Sequence, residues 1–408
     1  MKIETYSKYT NYLLAFGLVF LLTAVRTIEI LAIGLILLNI IFYTKNVRMC
    51  HKLFKENRKL VLSLLLLPIY SLIMAIIHLD GRLMSIPLLF FAPFILILSL
   101  NYITLKRDLL LGSLIIGAII TIVEIVIAIH SGIVRFDPTY YNTIYSGLFS
   151  STIAACSFYF MIIHLEKKKY LLAIAMMFVF VVTSAACLYM ASKGAIVYLF
   201  IAILCIPFFL LSWKKMIIFV TCTLFIIFLL FMGFKNTHTV QRFSEMIQSI
   251  ESSETNQALA TSTEIRLQLY RASIICAKEH PFIGCNIEQA YVIKKNLMNE
   301  HKASLRAVNY KHFHSDFFNS LGKMGIIGAI FLCIFWISLF MFFIIKRDDS
   351  VKRKLSFNIS VLLMISFFIN SLFDSMMAYG KGVMFLALVI ILASAFKGQG
   401  ERDNFLEC

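Results

Sequence analysis

Tyr170 to Met190 reads YLLAIAMMFVFVVTSAACLYM, an apolar run without a single charge. As a helix rising about 1.5 Å per residue, it is long enough to cross a hydrocarbon core about 30 Å thick. The chain then turns through Ala191-Ser192-Lys193-Gly194 and enters a second apolar run near 195–212. Similar runs lie near 11–25, 27–43, 60–78, 85–104, 109–129, 147–165, 216–234, 325–345, 355–373 and 383–396. Backbone polar groups in lipid must be satisfied within each segment, so the runs predict helices. The expected fold is an all-α polytopic membrane protein with about twelve transmembrane helices. Composition agrees, because 408 residues that are 60% hydrophobic, 15% charged and contain six prolines carry more apolar surface than soluble cores can hide. The first run continues into the second without a small-residue cleavage site, so it is expected to stay as a helix.

A net charge of +16 can signal nucleic-acid binding. Here the basic residues alternate along the chain instead. Lys45, Arg48, Lys52, Lys55, Arg58 and Lys59 form one cluster, followed by Lys106 with Arg107, Lys167 to Lys169, Lys214 with Lys215, Lys346 to Lys354, and Lys397 with Arg402. The intervening short loops hold only Arg26, Arg82, Arg135, Lys193 and Lys381. The positive-inside rule then places both termini in the cytoplasm and residues 235–324 on the opposite side. The expected partners are membrane lipids, with no nucleic acid.

The polarity change at 235–324 marks the domain-scale boundary. Residues 1–234 are expected to hold nine transmembrane helices, 235–324 a large periplasmic loop domain, and 325–408 the last three helices and a cytoplasmic tail. Within the loop, Thr261 to Glu264 reads as a capping box opening a helix to about Lys278, before Pro281 and Gly284 break it. A second helix is expected from Ile287 to Leu305, and Phe243 to Ser252 reads as a short amphipathic one. His314 to Lys323 has a helical pattern leading into the next crossing. No fixed-period repeat or low-complexity tract occurs.

Five cysteines (Cys156, Cys187, Cys205, Cys222 and Cys333) fall in apolar runs, where cysteine behaves as a small hydrophobe. Cys276 and Cys285 share the external segment and can form a disulfide in an oxidising compartment, although spacing alone is a weak signal for one. No spacing suggests zinc.

Ionisable groups beside a bilayer are costly, which makes them candidates for function. Lys311-His312-Phe313-His314-Ser315-Asp316 sets two imidazoles beside a hydroxyl and a carboxylate at the mouth of a membrane helix. Imidazole can take a proton near neutral pH, and a solvated surface pair fits the spacing equally well. Arg266 lies one turn inside the capped helix, with Tyr270 four residues on and Arg271 next to it. Its planar fork matches phosphate oxygens, and an exposed helix arginine has the same pattern. Lys193 puts a cation at the outer interface, as an ordinary snorkelling lysine also does. Glu124 near His130, and Asp374 near Lys381, are further acids near lipid; the second pair reads as structural. Tyr140, Tyr141, Tyr145, Tyr291 and Tyr310 can stack on sugar rings or anchor at headgroups. No phosphate-binding glycine loop is present.

His314-Ser315, then Asp316 to Met324, then Gly325-Ile326-Ile327-Gly328 resembles the signature of O-antigen ligases and their relatives, the Wzy-type polymerases and bacterial O-oligosaccharyltransferases. Ser192-Lys193-Gly194 resembles the family's Ser-Arg-Gly turn, and Arg266 to Tyr270 followed by Pro281 to Gly284 resembles its arginine helix. The resemblance implies a metal-independent, cofactor-free glycosyltransferase of the GT-C type in a Gram-negative inner membrane, with inversion the expected outcome. Its donor would be an undecaprenyl-diphosphate-linked glycan and its acceptor a lipid A-core sugar. His314 and Arg266 would be catalytic, while Lys193, Arg271, His312 and Tyr270 would contact diphosphate or substrate. Lysine at 193 keeps the charge of the family's arginine but loses its two-pronged geometry. A repeat-unit polymerase shares this chemistry; a secondary transporter or flippase would instead place polar sites near the bilayer midplane.

Overall fold

The computed structural model describes residues 2–20, 25–80, 83–103, 105–131, 143–190, 192–217, 221, 262–344 and 351–402. Among them, all regular structure is helical. The first part of the chain forms α1 (Ile3–Phe20), α2 (Val25–Lys45), α3 (Val47–Glu56), α4 (Arg58–His78), α5 (Ala92–Tyr102), α6 (Arg107–His130), α7 (Thr143–Glu166), α8 (Tyr170–Met190) and α9 (Lys193–Leu210). The cap that follows contains α10 (Ser262–Glu279), α11 (Ile287–Asn299) and α12 (Leu305–Asn309). Then come α13 (Asp316–Ile344), α14 (Val351–Phe373) and α15 (Gly380–Arg402).

Among the described residues, five helices are long and apolar enough to cross a membrane: Arg58–His78, Asp108–Ile127, Ser146–Glu166, Tyr170–Met190 and Asp316–Phe343. Shorter apolar helices include Lys193–Phe208, Asn358–Phe373 and Gly382–Ala395. The chain is a polytopic membrane protein. α7 is its hub, packing against α8, α9 and α14, with the small residues Ser150, Ser151, Ala154 and Ala155 fully buried. Small side chains let helix backbones approach closely in lipid, where packing replaces the hydrophobic drive. Outer faces invert the soluble pattern: Ile174, Phe178 and Val181 on α8, and Ile119, Val123 and Val126 on α6, are exposed. Such surface is stable only against lipid tails.

One local feature departs from the apolar-run reading. The stretch expected as one crossing over 85–104 is split into a 3-10 segment, Leu83–Phe91, and α5. Pro87 lies inside the first and Pro93 at the start of the second, and each lacks the amide a continuous helix would use. Most of the expected crossing over 216–234, the whole helix over 243–252 and Thr261 lie outside the described residues.

The cap follows its local signals. α11 opens with a reciprocal capping box in which Gln289 N donates to Asn286 Oδ1 at 2.8 Å and Asn286 N to Gln289 Oε1 at 3.0 Å. It stops at Asn299 rather than Leu305, because the chain turns through His301 at φ 58 and restarts from Ser304, which caps α12. Leu269 and Ala272 on α10, Ile293 on α11, Ala307 on α12 and Phe313 form the cap's own apolar core.

The cap is seated on the bundle where α13 is interrupted. Gly325 takes φ 68, ψ −168 inside α13, a conformation essentially reserved for glycine. The break frees the amide of Ile326, which donates to Pro281 O at 2.8 Å, while Cys285 N donates to Gly322 O at 2.8 Å. A Cβ on Gly284 would lie 2.5 Å from Lys323 C, and one on Gly325 would lie 2.5 Å from Pro281 O. Two backbones therefore meet glycine to glycine. From α4, the Tyr70 hydroxyl donates to Phe282 O at 2.5 Å and His78 Nε2 lies 2.8 Å from Ile283 O. Asp80 and Lys323 form an ion pair beside this seat, each side chain 3% exposed.

Candidate active site

His314 lies in the short link between α12 and α13 and has φ 50, a left-handed conformation that costs a non-glycine residue energy and needs support. Tyr270 provides it: its hydroxyl donates to His314 O at 3.1 Å while its ring stacks on Phe318 at 4.0 Å. Ser315 N donates to Ser375 Oγ at 3.1 Å, and Met377 N donates to Asp316 Oδ1 at 2.8 Å. These bonds tie the histidine link to the turn after α14.

That turn supplies the histidine's partner. His314 Nδ1 lies 3.1 Å from Asp374 Oδ1, and the two side chains are 12% and 8% exposed. Asp374 Oδ1 also accepts the amide of Ser375 at 2.7 Å. Burial alone would raise the Asp374 carboxyl, but the hydrogen bond and charge of His314, with Arg266 and His312, hold it below the usual carboxylate value. An ionised Asp374 accepts the Nδ1 proton of His314 and leaves Nε2 as the nitrogen able to take another. His312 packs against the same pair: Nε2 lies 4.0 Å from Asp374 Oδ1 and Nδ1 lies 3.2 Å from the Tyr379 hydroxyl.

A cleft of about 220 Å³ opens over this group, lined by Ser262, Ile265, Arg266, Arg306, Tyr310 and His314. Arg266 is half-buried, and its Nε is buried without a hydrogen-bond partner. A buried guanidinium nitrogen left unsatisfied is costly, and an incoming acceptor would relieve that cost. Arg306 comes from α12, which Gln268 fixes by accepting Ser304 N at 2.9 Å. Tyr310 sets its ring edge-on to His314 at 4.4 Å, and its carbonyl is held by Lys294 Nζ.

Of the residues singled out in the sequence, Arg266 and His314 share the cleft and His312 stands behind it. Lys193 opens α9 and donates from Nζ to Thr263 Oγ1 at 2.6 Å, on the first turn of α10 next to Ser262. Tyr270, expected to contact substrate, donates from its hydroxyl to the His314 carbonyl. Arg271 is exposed and does not line the cleft. Glu124 is half-buried in α6 and His130 is exposed at that helix's end, while Tyr140, Tyr141 and the side chains of Tyr145 and Lys381 lie outside the described residues. Sequence reading missed Arg306, and it missed Asp374 as the histidine's partner.

His312, His314 and Asp374 offer two imidazole nitrogens and a carboxylate oxygen within 4.8 Å of one another. That donor set suits a zinc-like ion, and the same atoms are also satisfied as the hydrogen-bonded group just described.

A second, apolar groove of about 250 Å³ runs between α13 and α14, with Phe317, Trp336, Ile337, Phe368 and Leu372 among its walls. Phe317 lies just beyond the histidine link and Leu372 just before Asp374, so one end of the groove lies near the polar site.

The fold and the site together define a multi-pass membrane protein carrying a cationic, histidine-bearing cleft on a helical cap. Residues 178–333 match the family described as O-antigen ligase, a span from within α8 through Lys193 and the cap into α13. Through that segment the chain is similar to the O-antigen ligase family, a group of glycosyltransferase-like membrane enzymes. No curated relative matches the chain.

Proposed function

We propose that the protein is an O-antigen ligase of a Gram-negative inner membrane, with its cap in the periplasm and both termini in the cytoplasm. It would transfer O-polysaccharide from undecaprenyl diphosphate to a sugar hydroxyl of the lipid A-core. The observation that carries this reading is the cleft in which two guanidinium groups, Arg266 and Arg306, face the Asp374-oriented His314.

His314 Nε2 takes the proton of the acceptor hydroxyl as its oxygen attacks the anomeric carbon. The bond to the diphosphate breaks on the opposite face, giving inversion. Charge that builds on the departing diphosphate falls on Arg266 and Arg306, and planar forks suit its oxygens. Lys193 adds positive charge at the first turn of α10. The α13–α14 groove offers an apolar track for the lipid tail of a substrate whose headgroup reaches the cleft. The donor is already activated, so transfer needs neither nucleotide nor cofactor, and this reading is metal-free.

Deletion of the gene tests the reading. A ligase leaves bare core and carrier-linked polymer; core bearing a single repeat unit would mean a polymerase instead. With purified protein, carrier-linked glycan and rough lipopolysaccharide, transfer should survive exhaustive chelation. Loss with EDTA and recovery with zinc would assign the His312–His314–Asp374 group to a metal instead. Proton-gradient-dependent transport without transfer would revive the transporter reading.

A further inference from the structure

Cys276 is on the buried face of α10, and Cys285 follows the turn Pro281 to Gly284. Both side chains belong to the cap's core, at 0% and 1% exposure. Both are free thiols in this structure and neighbours within that core. The backbone of Cys285 is itself fixed, because its amide donates to Gly322 O at 2.8 Å. Two thiols thus share one buried core at the junction between the arginine helix and the turn that seats the cap on α13.

We infer that Cys276 and Cys285 are a disulfide modification site, oxidised as the cap folds outside the cytosol. The inference rests on the external placement of the cap given under the proposed function. The reaction needs a two-electron oxidant, and a protein disulfide donor of the extracytoplasmic compartment is the appropriate class. One cysteine thiolate attacks the donor disulfide to give a mixed disulfide. The other thiolate then displaces the donor, forming the Sγ–Sγ bond and leaving the donor as a dithiol that carries the two electrons and two protons. Exchange must precede closure of the core, because contact with Cys285 and burial raise the Cys276 thiol above its ordinary value and suppress the reactive thiolate. Once formed, the bond joins the C-terminal part of α10 to the docking turn across a short loop, limiting the freedom of the unfolded cap. The helix it staples is the one that carries Arg266 and Tyr270.

The test uses full-length protein from membranes quenched with an alkylating agent, denatured and digested with trypsin without reductant. Cleavage after Arg271, Lys278 and Lys294 puts the two cysteines in separate peptides, 272–278 and 279–294, each with one cysteine. The expected result is a linked pair that reduction splits, with alkylation of the partner thiol in Cys276→Ala and in Cys285→Ala. Full alkylation of both peptides in the unreduced wild type, or continued protection of the remaining thiol in either variant, overturns the inference. Lys295 is exposed on α11. Lys295→Cys in a Cys276→Ala/Cys285→Ala background should react in intact cells with a maleimide that cannot cross the inner membrane. Labelling there together with alkylatable wild-type thiols would sink the disulfide alone. No labelling would overturn the external placement and the disulfide with it.

Discussion

His314 and Asp374, 60 residues apart in sequence, meet with Nδ1 and Oδ1 at 3.1 Å. One comes from the end of the cap and the other from the turn leaving α14, so the proposed base and its orienting acid meet only when cap and bundle are joined. Asp374→Asn keeps the shape but removes the charge that selects the tautomer. Transfer should fall about 10²- to 10⁴-fold, with the protein inserted and folded. An assay of purified variant under saturating donor checks this; near-wild-type turnover would remove Asp374 from the mechanism.

The same carboxylate makes a pH prediction. Its folded value is lowered by His314, Arg266 and His312 against the opposing effect of burial, so the stability it contributes is fully present above the unfolded aspartate value of about 3.9. That contribution is lost as pH falls below this value toward the folded one. The gap in thermal midpoint between wild type and Asp374→Asn should therefore narrow as pH falls below about pH 4. A gap that widens on acidification would mean the charge is not stabilised as the site implies.

Arg306 should be needed for turnover almost as much as Arg266. Both forks line the cleft, and the turn cation is a lysine that cannot bind two oxygens in one plane. Arg306→Ala should lose about 10²- to 10³-fold in transfer, and Arg306→Lys should recover only part. If Arg306→Ala behaves as wild type, the exposed guanidinium is ordinary cap surface.

Much of this architecture was legible because lipid imposes simple rules. Runs such as Tyr170–Met190 became helices at their expected positions, and the arginine helix, bounded by Pro281 and Gly284, ended where those residues predict. Pro87 and Pro93 carry the signal that 85–104 is not one helix, although hydropathy alone marks it as a single run. The Asn286–Gln289 capping box was equally visible in sequence as an Asn followed three residues later by Gln. The site was readable only in part. His314 and Arg266 stand in recognisable local patterns, whereas the pairing with Asp374 is a tertiary contact that no spacing encodes. Arg306 resembles any loop arginine until α12 is folded against Gln268. Asp80 and Lys323 are 243 residues apart, and only packing reveals that both are buried together.

Gly325 should tolerate no side chain. Its φ 68, ψ −168 costs an L-residue about 1–3 kcal/mol, and a Cβ would sit 2.5 Å from Pro281 O and 2.6 Å from Phe282 C. Gly325→Ala should unseat the cap while leaving α13 helical. Protease sensitivity should rise between α10 and α13, and transfer should be lost. An unchanged digestion pattern with full activity would show that the break in α13 does not seat the cap.

The Asp80–Lys323 pair is the most demanding test of how cap and bundle are joined, because its energetics depend on both partners. Each side chain is 3% exposed. Removing one leaves the other charged and buried, a state that costs about 3–5 kcal/mol, whereas replacing both with apolar groups of similar volume is often neutral. Lys323→Met alone should lower the thermal midpoint in detergent sharply and release the cap turn, since Lys323 adjoins Met324 and the Gly325 break. Asp80→Leu combined with Lys323→Met should restore most of that loss, giving a large favourable coupling in a double-mutant cycle. Transfer by the double variant should then follow its stability, because neither residue lines the cleft. Additive losses would mean that the two charges act independently, and a stable but inactive double variant would move the pair from seating the cap into the chemistry.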